Sequence, residues 1–137
     1  MLRGMPAPVP DLDTQPFWDG CEQERFLVPT CGSCGARRWP PGPMCPVCRS
    51  TATEWLESSG RGSVYSFLVV HHPVNPVLLD QVPYVVAMIE LEEGIRVVGN
   101  VEDCDPDSVH TGMQVEVVFE RHEEGMLIPN FRAASWS

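Results

Sequence analysis

The sequence predicts a mainly β protein that contains an N-terminal helix, a metal-binding ribbon and a barrel of five short strands. Two features lead to this prediction: two CxxC pairs occur in the first half of the chain, and apolar and polar residues alternate from residue 61 onward. The chain has 137 residues, of which 43% are hydrophobic, and this is enough for one ordinary domain or two small ones. We expect a flexible Pro-rich tail or linker at 1–13, a helix at 14–30, a zinc ribbon at 31–58 and a barrel at 59–137.

The predicted helix runs from Thr14 to about Phe26. Thr14 suits the N-cap position, and a proline at position 16 is tolerated in the first turn. Apolar residues recur at roughly helical spacing, namely Phe17, Trp18, Cys21 and Phe26. Packing on the rest of the domain explains this stripe most simply. A docking helix for another chain remains the alternative, because so short a helix needs a surface on which to bury its apolar side.

The ribbon is predicted from the pairs Cys31-Gly-Ser-Cys34 and Cys45-Pro-Val-Cys48, which ten residues separate. Two such pairs let four thiolates converge on one tetrahedral Zn²⁺ ion. A site with four thiolates is full, so the metal is expected to serve folding rather than catalysis. Two disulfides, a redox CxxC motif and an iron site like that of rubredoxin are the alternatives. No secretory signal is visible after the first methionine, which disfavours disulfides and predicts a cytoplasmic location.

The barrel is predicted from five segments rich in Val, Ile, Phe or Tyr that Gly, Pro or Asp residues separate. These segments are Gly62–His71, Tyr84–Leu91, Arg96–Val101, Gln114–Arg121 and Met126–Phe131. Five short antiparallel strands in so short a stretch are typical of a Greek-key barrel of the OB type, with a short helical turn expected at 103–109. A small β-sandwich is the alternative topology.

The charge and composition exclude several classes of partner. The net charge is −10, lysine is absent, and all nine positive side chains are arginines. A nucleic-acid-binding module normally shows a basic patch, and the largest arginine cluster along this chain is Arg37-Arg38. No apolar run is long enough to span a membrane. We therefore expect neither a nucleic acid nor a membrane as partner.

The sequence contains no recognisable catalytic motif. Nucleophile-elbow, Walker A, dinucleotide-binding and HExxH patterns are all absent. The histidine pair His71-His72 opens a proline-rich loop that continues through Asn75 to residue 83. These three residues are candidates for the vicinity of a substrate, although histidines at the edge of a loop more often have a general polar role. The protein is therefore not expected to be an enzyme on its own.

The order of these motifs resembles a known family. The shared features are the Pro-Phe-Trp helix and the four-cysteine ribbon, followed by segments that include Gly60-Arg-Gly-Ser-Val-Tyr-Ser-Phe67, Glu92-Glu-Gly-Ile-Arg96 and Pro129-Asn-Phe-Arg132. They are similar to the bacterial and archaeal zinc-ribbon/OB-fold proteins, long catalogued as a domain of unknown function, that accompany thiolase-fold acyl-CoA enzymes. The resemblance covers residues 14 to about 133, and the family's zinc ligands fall on the four cysteines of the ribbon.

The resemblance implies a non-catalytic accessory subunit that binds and activates a thiolase-fold enzyme in a hetero-oligomer. One branch of the family accompanies a retro-aldolase that cleaves steroid side-chain β-hydroxyacyl-CoA thioesters, and some members are joined to an enoyl-CoA hydratase domain. Aromatic residues and the rigid ribbon loop are the candidates for contact with the partner. These candidates are Phe17, Trp18, Pro40, Pro41, Phe131 and Trp136. An OB-fold/zinc-ribbon module for nucleic acid and an iron-containing electron carrier are the competing hypotheses.

Overall fold

A computed structural model describes residues 1–135 of the chain, which form one α-helix, seven β-strands and two short 3₁₀ turns. The helix, α1, spans Gln15–Glu22, and the 3₁₀ turns span Pro76–Leu78 and Pro106–Ser108. The strands are β1 Leu27–Cys31, β2 Thr53–Glu57, β3 Arg61–Val70, β4 Tyr84–Leu91, β5 Arg96–Glu102, β6 Gln114–Arg121 and β7 Leu127–Ala133. The predicted mainly β class with an N-terminal helix is confirmed.

Helix α1 is shorter than the sequence predicts. It ends at Glu22 rather than near Phe26, because Glu24 adopts a left-handed conformation with φ 56° that no α-helix continues through. The carbonyl oxygen of Gly20 accepts hydrogen bonds from both the Gln23 and the Arg25 amides, at 2.9 Å each, and the chain turns there into β1. Thr14 occupies the N-cap position, but its hydroxyl accepts from the Asp11 amide instead of capping the helix.

The ribbon is built on a two-stranded antiparallel sheet. Strand β1 pairs with β2 from Leu27 opposite Glu57 to Cys31 opposite Thr53. Cys31, the first of the four cysteines in the CxxC pairs, is therefore the last residue of β1, and the second CxxC pair lies in the long loop before β2.

The five remaining strands close into the predicted barrel. Their order is β3-β4-β5-β7-β6, and β3 pairs with β6 to complete the closure. Neighbouring strands are antiparallel except for β5 and β7, which pair in parallel. This five-stranded closed barrel is an OB-fold and not a β-sandwich, and a 3₁₀ turn at Pro106–Ser108 lies between β5 and β6 where a helical turn is expected.

Alternation along the strands places the core inside the barrel. In β4 the inward residues are buried and the outward ones half-buried at every second position, which is the pattern of a strand with one face on a core. The most enclosed large side chains of the barrel are Ile89, Val64, Val85, Val115 and Phe131. Phe17, Cys21 and Phe26, from α1 and the turn after it, belong to the same continuous cluster, so the helix and the barrel share one core.

The N-terminal segment lies against one end of the barrel. The Arg3 amide donates to Gln81 Oε1 at 2.7 Å, and the Gly4 and Ala7 amides donate to the carboxylates of Glu123 and Glu124. The ring of His122 contacts the Met5 carbonyl oxygen through Nε2 at 2.8 Å. A segment that the sequence predicts as a flexible tail or linker thus has defined partners in this structure.

Candidate metal centre and interaction surfaces

The four cysteines of the two CxxC pairs meet at one point. The sulfur atoms of Cys31, Cys34, Cys45 and Cys48 all lie within 4.8 Å of one another. The Sγ atoms of Cys31 and Cys48 are 3.5 Å apart, and those of Cys34 and Cys45 are 3.7 Å apart. A tetrahedral zinc ion with Zn–S bonds of 2.3 Å requires sulfur–sulfur edges of about 3.8 Å. The cluster therefore has the size of a four-thiolate zinc site.

Backbone amides around the cluster favour thiolates. The amides of Cys34 and Ser33 donate to Cys31 Sγ at 3.4 and 3.3 Å, and they lower the pKa of the Cys31 thiol to about 6. The Cys48 amide and then the Val47 amide lower the pKa of Cys45. The amide of Ser50 acts on Cys48 in the same direction, but the sulfur of Cys31, burial and the sulfurs of Cys34 and Cys45 together outweigh it and raise the pKa of Cys48 to about 12. The charge of a bound divalent cation offsets the repulsion between neighbouring thiolates. All four thiols therefore lose their protons when they coordinate the metal.

The cluster has no ligand position to spare. Cys31 and Cys45 are buried, whereas Cys34 and Cys48 reach the surface of the ribbon. All four tetrahedral positions would be taken by protein sulfur, so the centre can hold the ribbon together but offers no open site for a water or a substrate.

The predicted aromatic stripe forms a packed junction between the helix, the ribbon and the barrel. The Phe17 ring lies 5.0 Å from the rings of Trp18 and Trp39 and 5.1 Å from that of Phe26, in each case edge to face. Phe26 also stacks on Trp39 at 5.3 Å. Trp39 follows the first CxxC pair closely, so this cluster ties the metal ribbon to the core.

The predicted partner-binding residues divide into buried and accessible ones. Phe17 and Phe131 are 4% and 2% exposed, and their rings belong to the core of this chain. Trp18 is half-buried and lines an apolar groove of about 330 Å³ between α1 and the barrel. Pro40 is exposed and Pro41 half-buried in the ribbon loop. Trp136 lies outside the described residues.

The three residues predicted to lie near a substrate are in the loop that follows β3. His71 and His72 are exposed, and within residues 1–135 neither imidazole has a hydrogen-bond partner. The Asn75 side chain accepts from the Val77 amide at 3.1 Å and so caps the 3₁₀ turn. The structure gives Asn75 a structural role in the loop.

Two surfaces were not predicted from the sequence. The first is an apolar patch on the outside of β3–β5, where Leu68 lies opposite Val86 and Met88 opposite Val98. Leu68 and Val98 are 56% and 64% exposed. The sequence of β3 indicates this patch, because apolar residues occupy both faces of the strand instead of alternating with polar ones. The second surface is a groove at the junction of ribbon and barrel that several arginines line.

A pair of glutamates lies at the barrel end near the N-terminal segment. Burial, followed by the hydrogen bond that the protonated Glu102 carboxyl donates to Glu120, raises the pKa of Glu102 to about 7. The pKa of Glu120 is lowered, because its hydrogen bonds to Glu102 and to the α-amino group of Met1 outweigh the effect of burial. The α-amino nitrogen lies 2.9 Å from Glu102 and 3.2 Å from Glu120. Glu102 is therefore the carboxyl group of this pair that keeps its proton to higher pH, and Glu120 is the one that ionises first.

Comparison with known proteins is consistent with this architecture. The fold and the cysteine cluster define a zinc-ribbon/OB-fold protein. Residues 18–54 match the model described as the ChsH2 rubredoxin-like zinc ribbon domain, and residues 55–120 match the ChsH2 C-terminal OB-fold domain. The chain belongs to this family, the DUF35 family of ChsH2-type proteins.

The relatives differ in how much of their own length this chain covers. A DUF35 domain-containing scaffold protein of Methanocaldococcus jannaschii is 48% identical over 69% of this chain and 67% of its own length. A probable enoyl-CoA hydratase alpha subunit of Thermomonospora curvata is 37% identical over 94% of this chain, which spans 40% of that relative. A 3-oxo-4,17-pregnadiene-20-carboxyl-CoA hydratase alpha subunit of Mycobacterium tuberculosis is 37% identical over 84% of this chain and 36% of its own length.

A solved structure matches the whole architecture. A chain of the Ltp2-ChsH2(DUF35) aldolase superposes with a TM-score of 0.86 and is 36% identical, covering 94% of this chain and 100% of that one. A DUF35 protein of unknown function from Sulfolobus solfataricus is 15% identical with a TM-score of 0.63, and this shows a common fold alone. Within residues 1–135, no helix is long and apolar enough to cross a membrane.

Proposed function

We propose that this protein is a non-catalytic accessory subunit that binds and activates a thiolase-fold acyl-CoA enzyme. The observation that carries the proposal is the match to the ChsH2(DUF35) chain of an aldolase, which extends over the full length of that chain. A scaffold role also agrees with the site chemistry, because the cysteine cluster has the geometry of a closed metal centre. Two of the relatives are named as alpha subunits of hydratases for CoA thioesters, and this supports the acyl-CoA part of the proposal.

The proposed metal is Zn²⁺, held by Cys31, Cys34, Cys45 and Cys48. It would supply no reaction step and would instead fix the ribbon loops relative to the barrel. Such a centre contributes free energy on the order of 10 kcal/mol to the folding of a small ribbon with little core of its own. The metal would thereby hold Pro40 and Pro41 in a fixed position.

The proposed partner is a retro-aldolase acting on a steroid side-chain β-hydroxyacyl-CoA, with an enoyl-CoA hydratase domain in the same complex. We assign contact with the partner to the accessible candidates Trp18, Pro40 and Pro41, which Phe17 and Phe131 support from the core. The exposed loop that begins at His71 and His72 would lie near the acyl group. A cytoplasmic location is part of this proposal, because the four cysteines of the ribbon converge in the arrangement of a thiolate metal site rather than in disulfide pairs.

The test is a pull-down of the tagged chain from its native cells, with identification of co-purifying proteins by mass spectrometry. The proposal predicts a thiolase-fold protein in near-stoichiometric amount, and cleavage of an acyl-CoA substrate by that protein should require this chain. The variant Trp18→Ala should reduce recovery of the partner. The control Val9→Ala, at a position that is 89% exposed, should not. Recovery of nucleic acid instead, with binding that falls with salt, would contradict the proposal and favour an oligonucleotide-binding module.

A further inference from the structure

Three of the nine positive side chains of this acidic protein line one groove. Arg37 and Arg38 come from the ribbon just after the first CxxC pair, and Arg96 comes from the first position of β5. The groove has a volume of about 460 Å³ and is also lined by Trp39 and Pro46 on the ribbon side. A local excess of positive charge on a chain of net charge −10 focuses the field on one place.

Two of these arginines have no acidic partner. Arg37 Nη1 donates to the carbonyl oxygen of Glu93 at 2.9 Å, and Arg38 Nη2 donates to Gly42 O and Thr53 Oγ1 at 2.9 and 2.7 Å. All three acceptors are neutral. Over residues 1–135, no carboxylate lies within ion-pair distance of either guanidinium group. Their charges are therefore not offset by the acidic side chains of the chain itself.

Arg38 is the most unusual of the three. It is 7% exposed, and neither Nε nor Nη1 has a hydrogen-bond partner among the described residues. A buried charged group with unsatisfied donors is costly, and because these two nitrogen atoms are enclosed by the protein, an anion in the groove would lower the cost through its charge. Since Arg38 also lines the groove, an anion held there would lie beside this unsatisfied guanidinium group.

Arg96 is held at the rim by two contacts. Its guanidinium carbon lies 3.8 Å above the centre of the Tyr65 ring, and its Nε donates to Glu90 Oε2 at 3.2 Å. Glu90 is the acidic side chain that lines the groove, and its ion pair with Arg96 offsets its charge. A guanidinium group has five N–H donors, so the four on the Nη atoms remain for a further acceptor.

We propose that this groove binds the phosphate groups of a nucleotide. Arg37 and Arg96 would hold the phosphates at the rim, and Arg38 would provide the positive floor. Arginine suits this task because its planar fork pairs with two oxygens of one phosphate. The ring of Trp39 gives the groove an aromatic wall for the nucleoside. The ligand would be the nucleotide end of an acyl-CoA thioester, an identification that rests on the proposed function.

A competing explanation assigns Arg38 to the cysteine cluster. A zinc ion with four thiolates carries a net charge of −2, and a nearby buried guanidinium group could balance it without any ligand. This explanation gives Arg37 and Arg96 no role, so variants at these two positions distinguish it from nucleotide binding.

The test is isothermal titration of the zinc-loaded chain with adenosine 3′,5′-bisphosphate, with adenosine as the uncharged reference. We expect the bisphosphate to bind, adenosine to bind far more weakly, and the affinity to fall as salt is raised. Arg37→Gln and Arg96→Gln should each weaken binding about tenfold, the loss of one charge-assisted contact. The matched control is Arg132→Gln, because Arg132 also forms an exposed ion pair, with Glu116, and its loss changes the net charge equally.

Three results would overturn the inference. The first is no binding of the bisphosphate by the folded chain. The second is equal weakening by Arg132→Gln, which would show a general charge effect. The third is loss of zinc in Arg38→Gln together with unchanged nucleotide binding in Arg37→Gln and Arg96→Gln.

Measurements on the complex with the partner enzyme distinguish this inference from the proposed function. In the assembled complex, Arg37→Gln should raise the KM for the acyl-CoA substrate and leave recovery of the partner unchanged. An unchanged KM with an intact complex would contradict nucleotide binding in the groove but would not contradict the accessory role. Binding of the bisphosphate by the chain, together with a pull-down that recovers no thiolase-fold protein, would contradict the accessory role and the acyl-CoA identification but not the phosphate site.

Discussion

Replacement of Phe17 by alanine tests whether the aromatic junction is the structural link between helix, ribbon and barrel. The Phe17 ring is 4% exposed and has three edge-to-face neighbours, each about 5 Å away. Truncation of a buried phenylalanine typically costs about 3–5 kcal/mol, a range that includes the cavity left behind. We expect a loss of about 4 kcal/mol in the free energy of unfolding, a large part of the stability of an ordinary domain.

The assay is urea denaturation of the zinc-loaded protein, followed by tryptophan fluorescence and by circular dichroism. Leu12→Ala, at a position that is 96% exposed, is the control and should change the free energy of unfolding by less than about 0.5 kcal/mol. A loss below about 1 kcal/mol in Phe17→Ala would refute the conclusion that this ring belongs to the core. It would favour the alternative that the aromatic stripe is a docking face for another chain.

Three further predictions follow from the metal centre, a glycine turn and the glutamate pair. Removal of the metal with a chelator, or Cys45→Ser, should unfold the ribbon and lower the melting temperature, whereas retention of the full melting temperature would contradict a structural metal. Gly60→Ala should lower the free energy of unfolding by about 2 kcal/mol, because Gly60 has φ 79° and an added Cβ would lie 2.6 Å from Val117 Cγ1. An unchanged free energy of unfolding in urea denaturation would show that the turn can relax. Because the pKa of Glu102 is raised by folding, the folded state binds more protons than the unfolded state between the unfolded and folded pKa values of this group. The contribution of Glu102 to stability is therefore fully present below the unfolded pKa and is lost as pH rises through about 7. Glu102→Gln should therefore flatten the dependence of the melting temperature on pH between about 4.5 and 7, the interval between the unfolded and folded pKa values, and an unchanged slope would contradict the raised pKa of Glu102.

The strands and the metal cluster were predictable because their signals are local. Strand β4 alternates at every position, and its predicted bounds agree with the structure. The spacing of the CxxC pairs likewise predicts a convergence of four sulfurs that the fold provides. These features depend on periodicity and on short turns, which a single sequence displays directly.

The remaining features depend on contacts between distant residues. His122 meets Met5 across 117 residues, and no local pattern marks the N-terminal segment as a strand or a helix. Arg96 joins Arg37 and Arg38 only because the ribbon packs beside the turn between β4 and β5. The helix ends early because Glu24 turns the chain toward β1, although the apolar spacing continues to Phe26.

The most direct test of the accessory role is the rate of acyl-CoA cleavage by the co-purified enzyme with and without this chain. The account predicts that the isolated enzyme is inactive or nearly so, and that the zinc-loaded chain restores activity in proportion to complex formation. Metal-free chain should fail to restore it, because the ribbon loop at Pro40 and Pro41 would no longer be held in place. Full activity of the enzyme in the absence of this chain would contradict the account.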